Sequence, residues 1–123
     1  MRPESPLASL ADVSFCYVTT KGRRTRTPHT IEIWFGASDR TLYLLSGGGD
    51  RSDWVRNLLA DAAVSVRVAD QTFDATARFV TDADEEQMAR RLLATKYQGW
   101  TEGRPLSTWA RTAVPVALDL QLK

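Results

Sequence analysis

The alternation of apolar and polar residues predicts a chain made mostly of strands. The segment TIEIWF, residues 30–35, alternates strictly and places Ile31, Ile33 and Phe35 on one face, which is typical of a half-buried strand. The other predicted strands cover residues 13–20, 41–46, 64–69, 72–80 and about 113–122. The segment GASDR, residues 36–40, is predicted to be a hairpin turn between two of them.

Two segments have helical periodicity instead. Between residues 52 and 62, apolar side chains recur four apart and form a broad apolar stripe. A second helix is predicted to begin at Thr81, which has capping-box spacing with Asp84, and to end near Tyr97. The predicted order of elements is therefore β-β-β-α-β-β-α-β.

This order predicts an α+β fold that is mainly β. Most connections between strands are short enough to be hairpins, so the sheet should be mostly antiparallel. About six strands and two flanking helices suggest a small closed or half-closed barrel, and a two-layer α+β sandwich is the alternative. We expect residues 1–12 to be an N-terminal lead-in and residues 13–123 to form a single domain.

Composition excludes several classes of function. The net charge is only +1, and the four Trp residues are scattered over four segments, so we expect no nucleic-acid partner. One His and one Cys cannot form a zinc cluster, so we expect no metal. No apolar stretch suggests a membrane span or a signal peptide, and the single Cys16 fits a buried inert thiol, so we expect a cytoplasmic protein.

The stretch SGGGDRSDWVRN, residues 46–57, carries the clearest candidate chemistry. It places three glycines between a strand and a helix start, where backbone N–H groups and the helix dipole favour an anion. Arg51 and Arg56 flank that start, and the basic segment KGRRTRTPH would add Arg24 and Arg26 if it folds beside it. The residues alone are equally compatible with a phosphate site and with a plain tight turn.

The order of these motifs resembles the deazaflavin-dependent nitroreductase family. The resemblance rests on a strand ending in TT, the KGRRTRTPH loop, the strands TIEIWF and TLYLLS, the SGGGDRSDWVRNL segment and the strand VSVRV, and it covers about residues 13–100. That family belongs to the split β-barrel flavin-binding superfamily, which also includes pyridoxamine phosphate oxidase. The resemblance implies a homodimer with a cofactor in each of two clefts at the subunit interface.

The implied activity is hydride transfer from the reduced deazaflavin coenzyme F-420 to a small organic acceptor such as a quinone, an enone or a nitro compound. The alternatives are an FMN-binding oxidase or reductase on the same scaffold and a non-catalytic cofactor carrier. The cofactor supplies the hydride chemistry, so no catalytic side chain is assigned. Carried over by position, the resemblance implies cofactor-binding roles for Lys21, Arg24, Arg26, Pro28, Thr30, Ser46, Gly47, Gly48, Arg51, Trp54 and Arg56.

Two positions depart from the family pattern. The helix start in the best-known branch has a proline before its tryptophan, whereas this chain has Ser52-Asp53-Trp54. Family loops often have a glycine after the Lys/Arg-Ser/Thr pair, whereas Arg26 follows Arg24 and Thr25 here.

Overall fold

In the part of the chain that the structure describes, one antiparallel sheet curls into a half-barrel and carries three helices. The computed structural model describes residues 10–48 and 52–121. Within these residues the sheet has seven strands in the order β2-β1-β5-β6-β7-β4-β3. The elements are β1 (Cys16–Lys21), β2 (Pro28–Ile33), β3 (Gly36–Ser38), β4 (Thr41–Ser46), α1 (Asp53–Ala60), β5 (Ala63–Val68), β6 (Gln71–Phe79), α2 (Ala83–Gln98), α3 (Thr108–Thr112) and β7 (Val114–Leu120).

The predicted α+β, mainly β half-barrel is confirmed. Strand β4 occupies the predicted residues, and β5 and β6 differ from prediction by one residue at each end. Val68 of β5 pairs with Gln71 of β6, so the hairpin has a two-residue loop, and Ala69 in it has a φ of 55°. Positive φ in such loops matches the twist of the strands that they join.

Strand β4 is buried on both faces because it lies between two apolar clusters. Leu42 and Leu44 face the main cluster inside the curled sheet. Tyr43 and Leu45 face a second cluster on the other side of the sheet. In an extended strand, successive side chains point to opposite faces, so one strand supplies both clusters.

Cys16 lies in the main cluster and is fully buried. Burial raises the pKa of its thiol to about 12, since the thiolate would lose its solvation in the apolar interior.

Several element boundaries differ from the sequence-based prediction. Strand β2 ends at Ile33, and residues 36–38, predicted as a turn, form β3 against β4. The N-cap of α2 is Asp82, whose carboxylate accepts a hydrogen bond of 2.9 Å from Glu85 N. The predicted cap at Thr81 was therefore wrong by one residue, because the aspartate supplies the oxygen that reaches the third helical amide.

The short helix α3 was not predicted. Its N-cap, Ser107, accepts a 3.1 Å hydrogen bond from Ala110 N. The first nine residues of the predicted lead-in, and Leu122 at the end of the predicted last strand, lie outside the described residues. Of the helices in the described part of the chain, none has the length and apolar composition that crossing a membrane requires.

A cluster of paired charges joins the start of α2 to the sheet. Arg78 on β6 donates two hydrogen bonds to Glu85, of 2.8 and 2.7 Å, and one of 2.6 Å from Nε to Asp119. Tyr43 donates its hydroxyl to Glu85 Oε2 at 2.6 Å. The hydrogen bonds from Arg78 and then Tyr43 lower the pKa of Glu85 to about 2. The hydrogen bonds of Arg78 thus attach the start of α2 to the sheet.

Candidate functional site

The basic segment folds as a tight loop between β1 and β2. Gly22 N donates to Thr27 O at 2.8 Å, and Arg26 N donates to Gly22 O at 2.9 Å. Arg26 has a φ of 63°, in the left-handed region that favours glycine. This is the position at which the resembling family often has glycine. Arg26 therefore adopts a left-handed backbone conformation that arginine adopts less readily than glycine does.

Helix α1 is joined to this loop through Asn57, which is 3% exposed. Its Nδ2 donates to Thr20 Oγ1 at the end of β1, at 3.0 Å. Its Oδ1 accepts from the backbone N of Arg23 at 3.3 Å and from Arg23 Nη1 at 3.1 Å. The Arg23 guanidinium also lies 3.6 Å from a carboxylate oxygen of Asp53. The loop, β1 and α1 thus meet at one buried amide.

A basic hollow opens between the loop, β2 and α1. Its volume is about 440 Å³, and it is lined by Thr20, Gly22, Arg23, Arg24, Thr25, His29, Thr30, Ile31, Asp53, Trp54 and Asn57. The side chain of Arg24 is exposed and makes no hydrogen bond or ion pair with residues 10–48 or 52–121. The hollow therefore combines two guanidinium groups, one imidazole and several hydroxyls with a single carboxylate.

An aromatic hollow lies on the other side of Trp54. It has a volume of about 640 Å³ and is lined by Phe15, Glu32, Ile33, Trp34, Leu45, Ser46, Gly47, Gly48, Ser52, Trp54, Gln98 and Trp109. Trp34 leaves the strand pattern after Ile33 and stacks on Tyr97, with ring centroids 4.3 Å apart, while Trp109 meets Trp34 edge-on. The Tyr97 hydroxyl accepts from Phe35 N at 3.0 Å, which fixes the chain next to Trp34. These contacts make one wall of the hollow flat and rigid.

The packing of the turn before α1 accounts for the glycine at position 48. Neither Gly47 nor Gly48 has a positive φ. A Cβ added at Gly48 would overlap Ser52 Oγ, and that hydroxyl lies 3.1 Å from Ser46 Oγ. Gly48 therefore leaves room for the Ser46–Ser52 hydrogen bond at the start of α1.

The predicted site residues divide among several places. Arg24 and Thr30 line the basic hollow; Ser46, Gly47 and Gly48 line the aromatic hollow; Trp54 lines both. Lys21, Arg26 and Pro28 line a third hollow of about 520 Å³ beside β1, β5 and β6. Arg56 is exposed on α1 and lines none of these three hollows, and Arg51 lies outside the described residues.

Arg26 has a partner outside the basic hollow. Its Nη2 lies 3.4 Å from Asp61 Oδ2, and the backbone hydrogen bond from Ala63 and then nearby cations lower the pKa of that aspartate. Arg24 and Arg26, two residues apart, thus face different hollows.

Of the residues that line the basic hollow, the predicted site set contained only Arg24, Thr30 and Trp54; Arg23, His29 and Asn57 are among those that it left out. Asn57 carried a usable signal, because it is a polar residue on the apolar side of α1, three positions after Trp54. His29 lies against the loop so closely that a Cβ on Gly22 would come within 2.9 Å of its Nε2. A side chain at position 22 would therefore displace the His29 imidazole.

Comparison with known proteins identifies the family of this chain. Similar solved structures include an F420 reductase (17% identity, 98% of this chain and 97% of that chain, TM-score 0.66) and a putative pyridoxamine 5'-phosphate oxidase from Listeria innocua (17%, 94% and 90%, TM-score 0.69). A third is described as a domain-swapped dimer (20%, 87% and 79%, TM-score 0.64). At these identities the likeness shows the fold, and no curated protein matches the chain.

The sequence model of one family matches nearly the whole chain. The match is to the F420H(2)-dependent quinone reductase family and runs over residues 8–121. It includes both hollows and the helix between them. The protein therefore belongs to the F420H(2)-dependent quinone reductase family.

Proposed function

We propose that the protein is an oxidoreductase that uses reduced coenzyme F-420 to transfer a hydride to a small organic acceptor of the quinone, enone or nitro class. The observation that carries the proposal is the family match over residues 8–121. The two hollows that meet at Trp54 supply surfaces of the right chemistry for such a cofactor.

The basic hollow suits the phosphate-bearing tail of the cofactor. Guanidinium groups bind phosphate and carboxylate oxygens through charge-assisted hydrogen bonds, which are roughly twice as strong as neutral ones. Arg24 would be the main contact, because its guanidinium has no partner among the described residues. Thr30 lies in the same hollow and would add a hydroxyl, although its Oγ1 is already 2.7 Å from Thr19 Oγ1.

The aromatic hollow suits a flat ring. Trp34, Trp54 and Trp109 present apolar faces and edges, and the Trp34–Tyr97 stack keeps one wall from moving. These residues would orient the ring and exclude water from it. When bound, reduced F-420 would supply the hydride.

The remaining site residues stay part of the proposal. Ser46, Gly47 and Gly48 would border the ring system at the mouth of the aromatic hollow. Lys21, Arg26 and Pro28 line the neighbouring hollow, so their contribution to binding the tail would be small. Arg51 and Arg56 near the start of α1 complete the proposed set.

The proposal includes a homodimer with the cofactor clefts between subunits. Phe15 at the edge of the aromatic hollow is 40% exposed, and Leu59 on α1 is 65% exposed, so each chain presents apolar side chains near the site. Burying such side chains against a second copy would contribute to association. Light scattering at micromolar concentration should give about twice the chain mass of 13.7 kDa, and the monomer mass would contradict this part of the proposal.

The test of function is a titration of purified apo-protein with F-420 and, separately, with FMN. The FMN alternative is favoured by the structural likeness to the pyridoxamine phosphate oxidase-like protein. We expect F-420 to bind more tightly, and reduced F-420 to be oxidised on addition of a quinone such as menadione. Preference for FMN would overturn the cofactor assignment, and F-420 binding without turnover of quinone, enone or nitro acceptors would identify a carrier.

A further inference from the structure

We propose that Asn57 is a positioning residue that holds the basic hollow in the shape that an anionic ligand needs. The inference rests on the proposed function only for the identity of that ligand. Asn57 would touch neither the reacting ring nor the acceptor. It would act through the loop that carries Arg23 and Arg24.

The contacts of Asn57 use most of its hydrogen-bonding capacity. Its oxygen accepts both the backbone N–H and the guanidinium Nη1 of Arg23, and its nitrogen donates to Thr20 Oγ1. A side-chain amide has two acceptor sites and two donors, so both acceptor sites and one donor are satisfied at a residue that is 3% exposed. A hydrophobic residue in this place would leave the Arg23 N–H without its acceptor.

The other contacts of the loop that the structure describes in residues 10–48 and 52–121 hold it less firmly to α1. Its own backbone hydrogen bonds, Gly22 N to Thr27 O and Arg26 N to Gly22 O, close the loop on itself and do not fix it to the helix. The Arg26–Asp61 and Arg23–Asp53 ion pairs do reach α1 or its end, but they are long, at 3.4 and 3.6 Å, and one partner of each is more than half exposed. Exposed pairs of this kind contribute little. The buried amide is therefore the main link that sets where the loop lies.

The Asn57 amide gives two neighbouring arginines, Arg23 and Arg24, different roles. Arg23 is held by Asn57 and by Asp53, so its guanidinium is part of the wall. Arg24 follows it in the loop and is left for the ligand. If Asn57 is lost, the Arg23 guanidinium and the loop backbone that leads to Arg24 lose their attachment to α1, and ordering the hollow reduces the free energy of binding.

The test compares Asn57→Leu with Thr41→Val in the full-length protein. Thr41 donates its hydroxyl to Asp119 at 2.8 Å on β4 and lines neither hollow, so its variant also loses a partly buried hydrogen bond. Three quantities are measured: the Kd of F-420, the rise in Tm caused by inorganic pyrophosphate, and hydrogen exchange of the Arg23 backbone amide. Asn57→Ser is measured by the same criteria in case the leucine variant does not fold.

We expect Asn57→Leu to weaken F-420 binding at least tenfold, to abolish the pyrophosphate effect and to expose the Arg23 amide to exchange. Thr41→Val should lower Tm and leave all three properties within twofold of the wild type. A folded Asn57 variant with wild-type affinity would overturn the inference. If the wild type does not bind F-420, the proposed function fails, and the pyrophosphate arm decides alone: an equal effect in all variants, or none in the wild type, overturns the positioning role.

Discussion

Two arginines, Arg78 on β6 and Arg24 in the loop between β1 and β2, have very different surroundings in this structure. Arg78 is paired with Glu85 and Asp119 through hydrogen bonds of 2.6 to 2.8 Å. Arg24 lines a hollow and has no such partner among the described residues. The N–H donors of Arg78 are used within the fold, whereas those of Arg24 remain available to a ligand.

The Arg78 cluster stabilises the fold, whereas the basic hollow has the charge to attract an anionic ligand. The Arg78 guanidinium presents no positive potential to an anion, because the two carboxylates of Glu85 and Asp119 outweigh its charge. In the basic hollow, Arg23, Arg24 and His29 face one carboxylate, that of Asp53, whose side chain is 87% exposed. An anion that enters the hollow would meet an unbalanced positive potential. We therefore expect substitutions at the two arginines to change different measurable properties.

Replacement of Arg24 should give the largest effect. Arg24→Met should weaken F-420 binding about 10- to 100-fold, because one charge-assisted hydrogen bond contributes roughly 1.5 to 3 kcal/mol. The Tm should stay unchanged, since no intramolecular partner is lost. Arg40→Met, an exposed arginine in the β3–β4 turn, is the matched control and should bind normally. Wild-type affinity in Arg24→Met, measured by fluorescence titration, would remove Arg24 from the site.

Replacement of Arg78 should have the opposite profile. Arg78→Met should lower the free energy of unfolding by about 1 to 2 kcal/mol, a figure kept small because the side chain is 42% exposed. The affinity for F-420 should not change. Urea unfolding and the same titration measure both quantities. Loss of affinity at unchanged stability would show that this cluster also communicates with the cofactor site.

Acid should reduce the stability that Glu85 confers. Its pKa is lowered from 4.5 to about 2 in the folded protein, so its contribution is present above pH 4.5 and is lost as the pH falls towards 2. Compared by urea unfolding, the wild type should exceed Glu85→Gln in stability at pH 6, and the difference should narrow by pH 3. A difference that does not depend on pH would contradict the role of the ionised carboxylate.

The smallest effect is expected at Arg26. Its φ of 63° costs an L-residue about 1 to 2 kcal/mol, which glycine would relieve. Glycine would in turn lose the exposed pair with Asp61 and add freedom to the unfolded chain, so Arg26→Gly should change stability by less than about 1 kcal/mol. F-420 affinity should stay within threefold. A tenfold loss would show that Arg26, like Arg24, faces the ligand.

The strands with a regular pattern of apolar residues were predictable, because every second side chain in them faces the same apolar cluster. The residues of β4 alternate between two apolar clusters, and those of β5 alternate in the same way towards the main cluster. Strand β3 and helix α3 have three and five residues, too few for a period to be recognised. The end of β2 depends on Trp34 stacking on Tyr97, a contact across 63 positions that local pattern does not contain.

The site was predictable in its residue types and less so in their arrangement. The sequence left open whether the basic loop folds beside α1; in the structure the two are joined through Arg23 and Asn57. The residue that joins them, Asn57, contacts Thr20 and Arg23, which lie 37 and 34 positions earlier. A left-handed residue at Arg26 also turns two neighbouring basic side chains into different hollows. Such contacts arise only when the sheet has curled.

Because Cys16 is buried, the chemical reactivity of this single thiol can report on opening of the half-barrel. With no exposed surface and a pKa of about 12, the thiol is neither accessible nor ionised at neutral pH. An alkylating reagent such as iodoacetamide should therefore react only with molecules in which β1 has separated from its neighbours. The labelling rate then reports the population of that open state, without any engineered label, and a bound cofactor should slow it in proportion to its occupancy.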